Sequence, residues 1–282
     1  MSTVEALLRE AAASLAAAGV ERPRAEARLL LEAATGMGRS RLLAHPEQPV
    51  AASDAARFQG WIARRAAREP AAYILGRSEF WSLSFRVGPG VLVPRADSET
   101  MIEAVIRAFP DRTASLRVLD LGVGSGCLLL SVLHHFVNAR GLGVDASERA
   151  LAYARANAEA LGLDTRAELR LADFREGVAG TYDIVLSNPP YIPSAEIATL
   201  DPEVAGHEPR EALDGGQDGL DAYRTILSAL PDLLAPEGAV FLEVGAGQAA
   251  EVAVLAAAAW DFRLHHDLAG IARCLELRQR AP

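Results

Sequence analysis

The sequence predicts an α/β protein: a seven-stranded, doubly wound sheet preceded by a small helical bundle, with a β-hairpin joining the two. Three observations carry this reading. From Leu116 onward, short apolar runs alternate with amphipathic stretches of helical period, the mark of a parallel sheet covered on both faces. Residues 1–75 carry only the helical period. Between these regions, residues 77–94 switch to the two-residue alternation of strands.

The totals fit such a chain. Its 282 residues suffice for one large domain or two ordinary ones. A composition of 50% hydrophobic and 23% charged residues is that of a soluble globular protein. All 28 basic residues are arginine, which with the abundant alanine reads as composition bias. The net charge of −9 is uneven: residues 1–76 hold 10 Arg against 8 acids, and residues 77–282 hold 18 against 29. A region so acidic is poorly suited to wrap duplex nucleic acid, where phosphate neutralisation supplies most of the affinity. The mildly basic amino-terminal region could instead dock a partner. Cys127 and Cys274 sit in apolar runs without metal-ligand spacing and read as core residues of a reducing compartment, with no metal site. No signal-like segment opens the chain and no apolar stretch reaches about 18 residues, so a cytoplasmic protein without a membrane partner is expected.

In order, residues 2–18 place Val4, Leu7, Leu8, Ala11, Leu15 and Ala18 on one helical face. Ser2 and Glu5 are spaced as a capping box, and Gly19 ends the helix. A second helix is expected from Pro23 to Ala34, with Gly36 after it. A third, over 52–68, would bury Ala55, Phe58, Trp61 and Ile62 and expose Arg57, Arg64, Arg65 and Arg68. In the hairpin, strand 79–87 turns at Gly88-Pro89-Gly90 and returns through Val91-Leu92-Val93. A helix over 98–109 leads to strands at 116–121, 141–145, 167–172, 182–187, 239–243, 261–266 and 273–278. Helices fill 126–136, 147–161, 221–234 and 248–258. The long segment 192–220 has the length of a lid or binding loop. The divisions are then a helical bundle over 1–75, a linking hairpin over 76–95 and a catalytic domain over 96–282.

Two motifs carry the chemistry. The first is Asp120-Leu121-Gly122-Val123-Gly124-Ser125-Gly126, ending one strand and opening a helix. Its glycines let a ligand approach the backbone closely. Dinucleotide folds use a related turn to seat a pyrophosphate, but a carboxylate beside the first glycine would repel one. It suits a cationic ammonium or sulfonium, which shifts the expected ligand to S-adenosylmethionine. Asp145 ends the next strand, where an acid accepts both ribose hydroxyls. Asp173 and Phe174 end the third, supplying a carboxylate for an adenine amino group and a ring to stack on it.

The second motif is Asn188-Pro189-Pro190-Tyr191, at the end of the fourth strand. Its prolines remove amide donors and stiffen the bend. The Asn188 side chain, the neighbouring carbonyls and the Tyr191 ring together suit a planar group bearing NH2. In a 3-2-1-4-5 strand order Asn188 would meet the cofactor's methyl at the switch point. The residues thus describe a methyltransferase acting on nitrogen, with Asn188 shared between clamp and cofactor site.

The chain resembles the bacterial peptide chain release factor N5-glutamine methyltransferases, the HemK or PrmC family. The resemblance rests on Tyr73-Ile74-Leu75-Gly76, residues 76–81 (Gly-Arg-Ser-Glu-Phe-Trp), 93–99 (Val-Pro-Arg-Ala-Asp-Ser-Glu), the glycine turn and 187–192 (Ser-Asn-Pro-Pro-Tyr-Ile). It continues through 208–216 (Glu-Pro-Arg-Glu-Ala-Leu-Asp-Gly-Gly), Asp218-Gly219-Leu220, Tyr223-Arg224 and Glu243-Val244-Gly245. Ala96 departs from the family's usual second proline. The resemblance implies a class I, Rossmann-like S-adenosylmethionine-dependent fold; a monomer is expected. It also implies a substrate: the glutamine of the Gly-Gly-Gln loop of class I release factors. Cofactor contacts carry over onto Gly122 to Gly126, Asp145, Phe174 and Asn188, and the substrate clamp onto Asn188, Pro189, Pro190 and Tyr191. DNA adenine and rRNA guanine methyltransferases share the Asn-Pro-Pro-Tyr motif or a close variant, so a nucleic-acid N-methyltransferase is the alternative. The acidic balance after residue 76 argues against it. No histidine, aspartate or cysteine is placed to act as base.

Overall fold

The computed structural model describes residues 2–174 and 178–280. The chain forms two compact units, Met1–Arg77 with Asp201–His207, and Ser78–Leu200 with Glu208–Pro282.

The first unit contains α1 (Val4–Ala17), α2 (Pro23–Thr35), α3 (Arg39–Ala44), α4 (Ala52–Ala66) and α5 (Ala71–Leu75), with the short helix Pro202–His207. Val4, Leu7, Leu15, Leu30, Leu31 and Phe58 fill its core. Thr3, rather than Ser2, caps α1, accepting from the Ala6 amide at 3.3 Å, because the cap must directly precede the first helical residue. Pro23 opens α2 and Gly36, at φ +70°, closes it as expected. α3 and α5 have too few turns for a period to emerge from sequence.

Arg65 corrects an expectation. It is 4% exposed rather than on the open face of α4. Its guanidinium pairs with Glu26 and, at 2.6 Å, with Glu203, while Arg68 also pairs with Glu203. Burying an arginine requires such partners, and Glu203 arrives from far along the chain.

The hairpin consists of β1 (Arg77–Phe80) and β2 (Leu83–Arg86) and turns at Trp81-Ser82, not at Gly88-Pro89-Gly90. Both turn residues are left-handed (φ 51° and 59°), the geometry whose twist matches a two-residue hairpin. The Glu99 carboxylate accepts from the Trp81 amide at 2.8 Å and supports this uncommon backbone. Residues 91–93 form no strand.

The second unit continues with α6 (Glu99–Ala108), β3 (Arg117–Leu121), α7 (Cys127–His135), β4 (Arg140–Asp145), α8 (Glu148–Ala160), β5 (Ala167–Leu171) and β6 (Tyr182–Ser187). The chain passes through α9 (Pro202–His207, in the first unit) and returns as α10 (Asp221–Leu233), β7 (Leu234–Glu243), α11 (Ala249–Ala256), β8 (Trp260–His266) and β9 (Ala272–Gln279). The seven strands lie in the order β5-β4-β3-β6-β7-β9-β8, with β9 antiparallel to both neighbours. Numbered within the sheet this is 3-2-1-4-5-7-6, so the order reverses between β3 and β6. One face packs Met101, Val105, Leu129, Leu133 and Phe136 on Val118, Ile184 and Phe241. The other packs Tyr223, Ile226, Leu230 and Val252 on Leu119, Val185, Val240 and Leu275. Burial on both faces explains the continuous apolar runs of the central strands. Among the described residues, no helix is long and apolar enough to cross a membrane and no cluster of His, Cys, Asp or Glu could hold a metal ion.

Candidate active site

A cavity of about 610 Å³ opens at the carboxyl ends of β3, β4 and β6, the size expected of a small-molecule site. Its lining unites Gly122, Val123, Gly124 and Ser125 after β3, Asp145 at the end of β4, Asp173 and Phe174 after β5, and Asn188 and Pro190 after β6. The parallel register brings them together: Asp120 faces Gly143 on β4 and Leu186 on β6, so the strands end level. The Ser187 hydroxyl donates to the Leu121 carbonyl at 2.7 Å, tying the start of the proline bend to the start of the glycine turn.

The glycine turn is held from below. The amides of Gly122 and Val123 both donate to the Val144 carbonyl at 2.9 Å. Gly122 has φ +80°, and a Cβ there would lie 3.3 Å from the Phe174 ring. Glycine meets both demands, leaving the ring close to the backbone. Asp145 closes the turn: one carboxylate oxygen accepts from the Gly124 amide and the other from the Ser147 amide, each at 2.8 Å. Burial raises its carboxyl above the ordinary value, against the pull of those two amides. Each oxygen keeps a lone pair for a hydroxyl in the cavity.

Asp120 takes a different place from the one expected. It is fully buried and absent from the cavity lining, and its Oδ2 accepts from the Leu129 amide at 3.2 Å. The carboxylate therefore anchors the first turn of α7 to β3 instead of facing a ligand. Burial pushes its pKa up to about 7. Gly126 also lies outside the lining; with φ +83° it starts α7.

The proline bend divides its residues between cavity and protein. Asn188 and Pro190 line the cavity, and no group among the described residues hydrogen-bonds the Asn188 side chain. Pro189 is buried. Tyr191, half-buried, is not among the cavity-lining residues; its hydroxyl lies 3.4 Å from Glu243 Oε1 and its carbonyl accepts from Gln248 Nε2 at 2.8 Å. At Gly219, an added Cβ would stand 2.4 Å from the Tyr191 carbonyl oxygen, so this bend is packed against bare backbone.

Another part of the lining escaped sequence reasoning. It comprises Gly90, Val91, Leu92, Pro94, Arg95 and Ser98 with Pro209, Glu211 and Ala212. Pro94, Arg95 and Ser98 belong to segment 93–99, and Pro209, Glu211 and Ala212 to segment 208–216, motifs visible by resemblance but without an assigned role; Gly90, Val91 and Leu92 come from the expected hairpin turn and return strand. Arg95 joins them through a 2.7 Å ion pair with Glu208, which is 7% exposed. Three carboxylates, Asp145, Asp173 and Glu211, line the cavity against the single guanidinium of Arg95, among the described residues. That balance disfavours a pyrophosphate and suits a cationic ligand with hydroxyl groups. The cavity, the Asp145 acceptors, the Phe174 ring and the close-approach turn fit the nucleoside and sulfonium of S-adenosylmethionine.

Two sequence-family profiles match the chain: the PrmC N-terminal domain over residues 6–76 and the methyltransferase small domain over residues 93–201. A release factor glutamine methyltransferase of Rhodospirillum rubrum is 44% identical over 277 residues, covering 98% of this chain and 85% of that one. Another, of Moorella thermoacetica, is 45% identical over 276 residues, covering 96% and 97%. The chain belongs to the release factor glutamine methyltransferase family. A solved 16S rRNA methyltransferase of T. thermophilus, 21% identical, superposes with a TM-score of 0.53 over 72% of this chain and 50% of that one. That likeness shows the shared methyltransferase fold. Two of the segments that carry the resemblance, 93–99 and 208–216, both contribute residues to the cavity lining.

Proposed function

We propose that this protein transfers a methyl group from S-adenosylmethionine to the side-chain amide nitrogen of glutamine in a release factor, the glutamine being that of the Gly-Gly-Gln loop of class I factors. The observation that carries the chemistry is the juxtaposition of Asn188 with the glycine turn, fixed by the hydrogen bond from Ser187 to Leu121. Relatives named for this activity, matched over nearly the whole chain, supply the substrate.

A carboxamide nitrogen is a weak nucleophile, because its lone pair is shared with the carbonyl. When bound, the cofactor supplies a methyl group made electrophilic by the adjoining sulfonium. The protein's part is placement. Asn188 Oδ1 and the Pro189 carbonyl accept the two amide hydrogens, and Tyr191 supports the amide plane. Orientation of this kind contributes on the order of 7–11 kcal/mol. Carbonyl dipoles aimed at the nitrogen also favour the positive charge that develops there, until one of its two hydrogens leaves to solvent as a proton after transfer. Asp145 holds the ribose hydroxyls and Phe174 packs on the adenine, with Asp173 accepting from its amino group.

The helical bundle over residues 1–75 is assigned the docking of the protein substrate, and the protein is assigned to the cytoplasm as a monomer. The test is methyl transfer from labelled cofactor to purified release factor, RNA and DNA in parallel. Label in the release factor, lost when its Gly-Gly-Gln glutamine is replaced, is the expected result. Label in either nucleic acid and none in the factor would replace this reading with a nucleic-acid N-methyltransferase.

A further inference from the structure

The bend at Asn-Pro-Pro fixes its own backbone, yet nothing in it fixes the Tyr191 ring, which rotates about two side-chain torsions. The end of β7 builds a socket for that ring. The Tyr191 hydroxyl faces Glu243 Oε1 at 3.4 Å, and Gln248 Nε2 holds the Tyr191 carbonyl. At Gly245, an added Cβ would sit 3.0 Å from the ring's Cδ2. Tyr223, fully buried on α10, donates to the Glu243 main-chain carbonyl at 2.8 Å and locks the strand end in place. These are the Glu-Val-Gly and Tyr-Arg segments singled out in the sequence, and the transfer chemistry leaves them unused.

Glu243 is an expensive residue to keep there. It is 3% exposed, and its Oε2 has no hydrogen-bond partner among the described residues. A half-satisfied buried carboxyl lowers stability, so its retention beside a site residue points to a task. We propose that Glu243 is a positioning residue of the substrate clamp, its carboxylate accepting from the Tyr191 hydroxyl and so fixing the tilt of the ring against which the substrate amide packs. This rests on the reading of Asn-Pro-Pro-Tyr as an amide clamp. The 3.4 Å separation is long for a hydroxyl donor; such contacts tighten when substrate completes a site.

The role carries a pH signature. The groups facing Glu243 are Asp97 and Ser98 before α6, Cys127 at the start of α7, Tyr191, Tyr223 on α10, and Arg273 and Cys274 on β9. Burial raises the phenols and thiols among them, so they stay neutral around pH 7. Asp97 and Arg273 form an ion pair at 2.6 Å. Burial likewise pushes Glu243 up to about 7, opposed by the Ser98 and Tyr191 hydroxyls and by Arg273. Only the ionised carboxylate is purely an acceptor, so turnover rises with pH as Glu243 loses its proton.

The test compares the full-length protein with Glu243→Gln, Tyr191→Phe and the double variant, measuring methylation of a purified release factor across the neutral pH range. Tyr191→Phe, which deletes the donor, is expected to lose about tenfold in kcat, the order of one oriented hydrogen bond, whereas Glu243→Gln keeps an amide oxygen that accepts and should lose less. Cofactor affinity should stay unchanged. The double variant should be no slower than Tyr191→Phe, and the step near neutrality should vanish in all three. Independent, multiplying losses would overturn the proposal, as would a step that survives in Tyr191→Phe. The latter decides alone if Glu243→Gln does not fold. A wild-type protein that fails to methylate the factor would overturn the underlying reading, a result distinct from normal wild-type turnover with an unaffected Glu243→Gln.

Discussion

Replacing Asp145 with alanine separates cofactor binding from catalysis. The carboxylate lies on the cavity lining, and each oxygen is already held by one backbone amide, Gly124 or Ser147, at 2.8 Å. Two ribose hydroxyls on such an acid form charged hydrogen bonds of about 1.5–3 kcal/mol each. Part of that is recovered in the variant, because the freed amides can face the hydroxyls directly or through water. A net loss of about 3 kcal/mol remains, or roughly a hundredfold weaker binding. Calorimetric titration with S-adenosylhomocysteine reads this directly, and kcat at saturating cofactor should stay within a few-fold of wild type. A dissociation constant within threefold of wild type would refute the assignment. Asp145 would then be only a clasp for the glycine turn, visible as a lower melting temperature with intact affinity.

Other perturbations probe separate parts. Asn188→Ala should abolish most turnover while leaving cofactor affinity within roughly tenfold, since the uncommitted side chain is assigned to the substrate; equal loss of cofactor binding would reassign it. Asp120 has its folded pKa raised from 3.8 to about 7 by burial, so its contribution to stability is fully present below the unfolded value and is lost as pH rises through about 7. Three units correspond to about 4 kcal/mol, so urea melts of Asp120→Asn should show a flatter decline between acidic and neutral pH than wild type. An identical slope would mean the buried acid is solvated. Arg65→Ala strands Glu26 and Glu203 without their buried partner and should cost about 3–5 kcal/mol in chemical denaturation. A loss under about 1 kcal/mol would show that Arg68 and water compensate.

Much of the second unit was legible in the sequence, for a physical reason. The central strands of a doubly covered sheet are largely apolar runs, and β4 and β6 end at Asp145 and Ser187, while glycine follows β3 and asparagine follows β6 on the cavity side. Asp145, Phe174 and Asn188 could be placed on one edge from strand ends alone. Legibility failed where position depends on a partner distant in the chain. The hairpin turn at Trp81-Ser82 lacks the usual Asn-Gly signal and is supported by Glu99, 18 positions away. Arg65 is buried because Glu203, 138 positions on, meets it. Asp120 reads as a ligand acid from spacing, yet its side chain points at the α7 amide of Leu129. Arg95, Ser98 and Glu211 line the cavity because two irregular segments fold over it, and irregular segments carry no period to read. Glu243 shows no anomaly in sequence; only its burial and its unpaired oxygen mark it.

The most direct measurement is a crystal structure with S-adenosylhomocysteine and a peptide carrying the Gly-Gly-Gln sequence. The account predicts the thioether sulfur beside Asn188, the adenosine on Asp145 and Phe174, and the glutamine nitrogen hydrogen-bonded to Asn188 Oδ1 and the Pro189 carbonyl. A glutamine bound away from the Asn-Pro-Pro bend, or a sulfur on the far side of the glycine turn from it, would contradict the account.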